Sequence, residues 1–185
     1  VRDSFIDQGL ILFGGYASFL YSKYMPAKQK KLFQKTPDFD VLSEEPEKAA
    51  IMLKERLEDF NYKGIKVIKH NGIGEIIAPH YEIKVNVDKI EETVAFIYKP
   101  LACHSYNIIK KGNKSVRVAT IDTMLSFYFA FYYSGRDYYD ENRILCMAQY
   151  LFDVQQKNRL EQKGVLKRFS INCYGKQDTL EDMRN

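Results

Sequence analysis

The chain has 185 residues, 45% of them hydrophobic, enough for one domain with a real core or for one domain and the start of another. Its formal net charge is +4 and its pI about 8.8, a mildly basic balance compatible with RNA or ATP that points to neither. No apolar stretch reaches transmembrane length and no secretory signal opens the chain, so no membrane partner is expected.

In chain order, the first segment reads as a short helix closed by Gly9 as its C-cap. Leu10 to Phe13 is an apolar strand that runs into Gly14-Gly15, and Tyr16 to Tyr24 reads as a helix ended by Pro26. A stretch carrying Lys28, Lys30 and Lys31 separates it from a second strand, Asp38 to Leu42. Ser43 is the expected N-cap of the next helix, with Glu44 and Glu45 in its first turn and Pro46 near its start. Ala49, Leu53, Leu57 and Phe60 recur with helical spacing, so this helix packs one face on a sheet. Ile65 to Ile68 reads as a strand and Glu75 to Ala78 as a candidate for another, with a tight turn at Asn71-Gly72 between them. Tyr81 to Val87 alternates apolar and polar residues as a half-buried strand does, and Thr93 to Tyr98 is expected beside it. Beyond about Pro100 the pattern changes. Val118 to Tyr133 reads as a long aromatic helix capped by Thr120 or Asp122, and Arg143 to Phe152 as another with Ile144, Met147, Ala148 and Leu151 on one stripe. The expected architecture is α+β: a small mixed sheet over residues 1–100 with helices largely on one side, then a helical region over 101–185 packed beside it.

Two features carry chemistry. Successive side chains of a strand point to opposite faces, so Asp38 and Asp40 point the same way, about 7 Å apart along the strand. Phe39 and Val41 point the other way, into a core. Two such carboxylates can share a pair of Mg²⁺ ions that activate an attacking hydroxyl and neutralise phosphate charge. Gly14 and Gly15 have no Cβ, so the backbone can turn sharply and approach a phosphate, with the first N–H groups of the following helix aimed at the anion. A glycine turn for a triphosphate followed by an acid-bearing strand for metal is the combination that nucleotidyl transfer requires.

These residues resemble the polymerase-β nucleotidyltransferase superfamily. Pro37-Asp38-Phe39-Asp40-Val41-Leu42-Ser43-Glu44-Glu45-Pro46, Ala102-Cys103-His104-Ser105-Tyr106-Asn107, Ala119 to Tyr128, Arg143 to Ala148 and the tract from Phe152 to Arg168 are similar, within it, to the poly(A) polymerases of large double-stranded DNA viruses, above all the mimivirus-like group. The likeness spans Gly14 to about Arg184. It implies a nucleotidyltransferase palm, template-independent addition of adenylate from ATP to an RNA 3′ end with Mg²⁺ or Mn²⁺, a homodimer, and a place in the virion and host cytoplasm. Polymerases of this kind are much longer than this chain, which begins at Val1, so a fragment is expected.

The superfamily uses a third carboxylate on a neighbouring strand. Glu92 is the expected residue, because it would enter its strand on the face of Val94 and Phe96; Glu82, mid-strand, is the alternative, and Asp88 and Glu91 lie nearby. Gly14 and Gly15 are then expected to cradle the β- and γ-phosphates. His104, Ser105, Tyr106 and Asn107 are candidates to contact ATP, line a cleft or form a structural junction. Lys28, Lys30 and Lys31, with Lys157, Arg159, Lys163, Lys167 and Arg168, are candidate phosphate contacts or plain surface. Cys103, Cys146 and Cys173 lie far apart and are odd in number, which predicts reduced, structural thiols; His70, His80 and His104 lack zinc-ligand spacing. Two other functions remain open: nucleotide transfer to a protein or small molecule, and an inactive RNA-binding subunit on the same fold.

Overall fold

The computed structural model describes residues 1–25 and 38–184. Lys28, Lys30, Lys31 and the expected helix end at Pro26 lie outside the described residues. Helix α1 (Arg2–Asp7) closes where Gly9 takes a left-handed φ of +69°, and β1 (Ile11–Phe13) follows, buried along its whole length. Helix α2 (Gly14–Tyr21) starts on the first glycine rather than at Tyr16 and continues as a 3₁₀ turn, Ser22–Tyr24. Strand β2 (Phe39–Leu42) carries the acids into α3 (Pro46–Asp59). Ser43 does not cap α3. Glu45 holds the N-cap position, Pro46 fills the first helical turn where its missing N–H costs nothing, and Ser43 Oγ accepts from the Glu45 amide at 3.2 Å.

Strands β3 (Lys66–His70), β4 (His80–Val87) and β5 (Ile90–Tyr98) form an antiparallel meander. Asp88 and Lys89 both take positive φ, 48° and 69°, the geometry of a two-residue hairpin turn, so β5 begins at Ile90 and already includes Glu91 and Glu92. Glu75 to Ala78 is not a sheet strand; it holds only an isolated bridge between Ile73 and Ile77. The region from 101 onward opens as a second hairpin instead of a helix: β6 (His104–Lys111) and β7 (Lys114–Ala119) turn at Gly112. Then come α4 (Ile121–Ser134), α5 (Glu141–Lys157) and a short β8 (Cys173–Tyr174). Thr120 caps α4, its Oγ1 accepting from the Thr123 amide at 3.3 Å, while Asp122 bonds Gln155 and Arg168 instead.

The eight strands make one mixed sheet in the order β3-β4-β5-β2-β1-β7-β6-β8. β1 is antiparallel to β2 and parallel to β7; β2 is parallel to β5. The register aligns Phe13, Asp40, Phe96, Glu82 and Ile68 in a single row across five strands, so these side chains share a face. That face is covered by α4: Phe127 stacks on Phe13 at 4.7 Å between centroids, and Phe131 lies 5.2 Å from Tyr98. The opposite face meets α1, where Phe5 packs on Phe39, and α3, tied to α1 by Arg56 and Asp7 at 3.2 Å. Helices therefore cover both faces rather than largely one. Cys103 and Cys173 are joined in a disulfide with Cα atoms 5.3 Å apart, holding β8 on the edge of β6, so two of the three cysteines are not the free thiols expected; Cys146 is free.

Candidate active site

The site forms where β1 ends. Phe13 is the cross-strand partner of Asp40, so the next residue, Gly14, lies against the Asp40 side chain. Gly14 has φ +62°, and a β-carbon built there would lie 2.5 Å from Asp40 Cγ and 2.7 Å from its Cβ. Two independent physical reasons therefore demand glycine: a left-handed backbone and a space already filled by the carboxylate. The Gly15 amide hydrogen-bonds Asp40, which ties the start of α2 to the acid-bearing strand.

The opposite wall comes from the loop between α4 and α5 and the first turns of α5. Together with Gly15, Asp38, Asp40 and Phe96, the residues Tyr128, Tyr138, Tyr139, Asp140 and Arg143 line an open cleft. Asp140 is the N-cap of α5, accepting from the Arg143 amide at 3.0 Å, and this places Arg143 over the acids. Arg143 Nη2 donates to Asp38 Oδ1 at 3.1 Å. Tyr138 stacks on Phe96 with ring planes 20° apart and donates its hydroxyl to His80 Nε2 at 3.0 Å, since His80 Nδ1 is used on the Ala78 carbonyl. Tyr139 stacks on Phe131 and bonds Tyr98, hydroxyl to hydroxyl, at 2.8 Å. Asp140 and the two tyrosines were not singled out by sequence reasoning, and Arg143 entered it only as the first residue of a family-like run and of a helix, with no role at the site. The only local signal was Asp140 as a helix cap three residues before Arg143.

Burial pushes the Asp40 carboxyl well above the usual carboxylate range and the neighbouring Asp38 pushes it further, while the Gly15 amide and Arg143 pull it back. Asp40 is thus an acid short of positive partners, lying beside a second acid in a cleft that still reaches solvent.

The structure brings Gly14, Gly15, Asp38 and Asp40 together. Glu92 stands apart: it pairs with Val85 on the exposed end of β5, four residues along the strand from Phe96, the partner of Asp40, about 13 Å by strand rise. Its strand begins two residues before Glu92, so the glutamate sits near the hairpin turn and not beside β2. Glu82 does lie on the face of Asp40, yet β5 and Phe96 intervene. Asp88 and Glu91 lie at the same exposed hairpin end as Glu92. The His104 to Asn107 stretch is a junction. His104 packs on Phe127, the Ser105 carbonyl accepts from Thr120 and Thr123, and Asn107 Nδ2 donates to the Lys167 carbonyl at 2.7 Å. Lys157, Arg159, Lys163, Lys167 and Arg168 are exposed at and beyond the end of α5, outside the cleft lining.

Mg²⁺ takes oxygen ligands from one or two carboxylates together with substrate phosphates. Asp38 and Asp40 supply that donor set on one face, and the space a Cβ at Gly14 would fill is what admits Asp40. The residues fit a divalent cation shared with a polyphosphate. Among the described residues no group of three His, Cys, Asp or Glu side chains is placed to hold a metal by itself.

A mixed sheet with the glycine turn at the end of β1, an acid pair on its antiparallel neighbour and helices on both faces is a nucleotidyltransferase-like fold. The chain is similar to the crystal structure of the Megavirus polyadenylate synthase, with a TM-score of 0.66 over 94% of this chain and 14% sequence identity. It spans 36% of that protein's length. No family model and no curated protein matches the chain.

Proposed function

We propose that the cleft transfers adenylate from ATP to the 3′-hydroxyl of an RNA, without a template. The observation that carries this reading is the meeting of the Gly14-Gly15 turn with Asp38 and Asp40 in one open cleft, each occupying the place the other leaves for it. The similarity to a structure named a polyadenylate synthase supports the choice of ATP and RNA.

In this reaction the RNA O3′ forms a bond to the α-phosphorus, the bond from that phosphorus to the bridging oxygen breaks, and pyrophosphate leaves. Asp38 and Asp40 would hold Mg²⁺ or Mn²⁺, which when bound supplies a more acidic attacking hydroxyl and neutralises charge on the phosphates. The chain's own residues do the positioning. The Gly15 amide keeps Asp40 oriented and favours its ionised form. The remaining N–H groups in the first turn of α2 lack intrahelical partners and face an anion favourably. Phe96 and Tyr138 offer a stacked aromatic wall on which a base can lie.

Primer extension on an oligo(A) RNA, with each of the four nucleotides and with Mg²⁺ or Mn²⁺, tests this. ATP incorporation is expected, and Asp38→Ala or Asp40→Ala should lower it by about a thousandfold while the chain stays folded. Variant activity within about tenfold of the parent overturns the assignment of the acids. Label transferred to protein in place of RNA overturns the acceptor.

A further inference from the structure

Among the described residues Arg143 is the one cationic side chain lining the cleft, against three carboxylates, Asp38, Asp40 and Asp140. A polyphosphate entering that cleft meets more acids than cations, so Arg143 is the positive side chain of its lining that can be turned toward it. The Arg143 guanidinium makes one hydrogen bond to Asp38 rather than a paired fork, and its side chain is 53% exposed, which makes the ion pair weak and the side chain free to swing. Its backbone does not move with it, because the Arg143 amide is fixed on Asp140 at the N-cap of α5.

We infer that Arg143 is a triphosphate-binding residue that exchanges partners: it neutralises Asp38 until a divalent cation takes that carboxylate, and then pairs with the nucleotide's phosphates. The inference rests on the nucleotidyl-transfer reading of the same cleft and adds to it the residue that couples metal loading to nucleotide binding. Asp38 would be one of the residues holding a divalent cation and is also the carboxylate that Arg143 occupies, so the two cations would compete for it. Arginine suits the second role because its planar fork matches a phosphate's oxygens. Its position in the first turn of α5, across the cleft from the α2 N-terminus, lets the two grip a phosphate chain from opposite sides.

The exchange makes a prediction of opposite sign for two ligands. Isothermal titration of the full chain with Mn²⁺ alone, and then with ATP at saturating Mn²⁺, is carried out on the parent, Arg143→Ala and Arg143→Lys. Arg143→Ala should bind Mn²⁺ about threefold more tightly, because the competitor at Asp38 is gone. The same variant should bind ATP about 10- to 100-fold more weakly, because a charge-assisted phosphate contact is lost. Arg143→Lys, which keeps the charge without the fork, should fall between the parent and Arg143→Ala for both ligands. Arg143 is exposed, and an unchanged melting temperature verifies that the variants fold. A merely structural arginine would weaken both ligands together, and that result, or ATP affinity unchanged in Arg143→Ala, overturns the inference while leaving the transfer reading intact. A parent chain that binds neither ligand overturns both.

Discussion

Asp40 and Glu82 stand in the same row of the sheet, on the same face, with only Phe96 between them, and the protein treats them in opposite ways. Glu82 is surrounded by donors: His70 Nε2 at 2.9 Å, Thr93 Oγ1 at 2.6 Å and Lys84 Nζ at 3.5 Å, with the residue 5% exposed. Asp40 has the Gly15 amide and the distant influence of Arg143, and a second acid, Asp38, just before its strand. A buried carboxylate is tolerated when its lone pairs are filled by the protein, as those of Glu82 are. One left short of donors at the mouth of a cleft holds capacity for something brought from outside. Position in the sheet therefore does not separate an acid the protein satisfies from one left with capacity for a ligand. The count of its partners does.

The strongest way to break this comparison is to neutralise each acid in turn. Asp40→Asn should lower adenylate incorporation by about a thousandfold, since an amide cannot hold the metal as a carboxylate does. Glu82→Gln should leave it within about tenfold of the parent, its effect passing only through packing around Tyr138. Primer extension with both variants decides. An equal loss would make Glu82 the third acid of the site, in spite of the intervening strand.

Stability should run the other way. Glu82→Gln leaves His70 and Thr93 with a poorer acceptor and should cost about 1–3 kcal/mol in urea unfolding. Asp40→Asn removes a charge that burial disfavours, so it should unfold no earlier than the parent, the common pattern where function opposes stability. Gly14→Ala lies between the two regions in effect. It meets a left-handed backbone penalty of about 1–2 kcal/mol as well as the overlap with Asp40, so it should lose both stability and activity.

The glycine turn and the acid pair were legible in the sequence because both are local. Strand alternation alone puts Asp38 and Asp40 on one face, and an apolar run ending in two glycines marks a strand that stops abruptly. Their mutual contact is a matter of register, Phe13 opposite Asp40, which no local pattern fixes. The hairpin β6–β7 was hidden for a different reason. Val116 and Val118 form the buried side of a strand whose apolar end abuts the aromatic run of α4, so strand and helix merge into one hydrophobic stretch until Thr120 caps the helix. Glu92 was misplaced by register: β2 sets Phe96, not Glu92, opposite Asp40, and the register shift between β4 and β5 at Ile83/Lys84 pairs Glu92 with Val85, on the other face of the sheet from Glu82 and Asp40. The Cys103–Cys173 bridge joins positions 70 residues apart, and cysteine spacing carries no information about such a pairing. Arg143, 105 residues from Asp38, was equally out of reach of sequence periodicity.

The smallest expected effect is also the sharpest test of the contrast, because the two regions should respond to pH with opposite signs. Asp40 has a raised pKa in the folded chain, so the folded state keeps this proton more firmly than the unfolded state does. Its contribution to stability is present below the ordinary aspartate value of 3.8 and is lost as the pH rises through its folded pKa. His80 sits behind Tyr138, beside Glu82's partner His70, and burial pushes its pKa down from 6.5 to about 4. His70 and Arg136 push it the same way, while the Ala78 carbonyl and Glu82 oppose them. The unfolded chain therefore takes up this proton first, and the stability tied to neutral His80 is present above pH 6.5 and lost as the pH falls toward 4. Urea midpoints between about pH 4 and pH 7 report the difference of the two slopes. Asp40→Asn should make stability climb more steeply with pH across that window, and His80→Gln should flatten the climb. If both substitutions move the slope in the same direction, Asp40 is as well satisfied as Glu82, and the feature that distinguishes the cleft from the cluster behind it is gone.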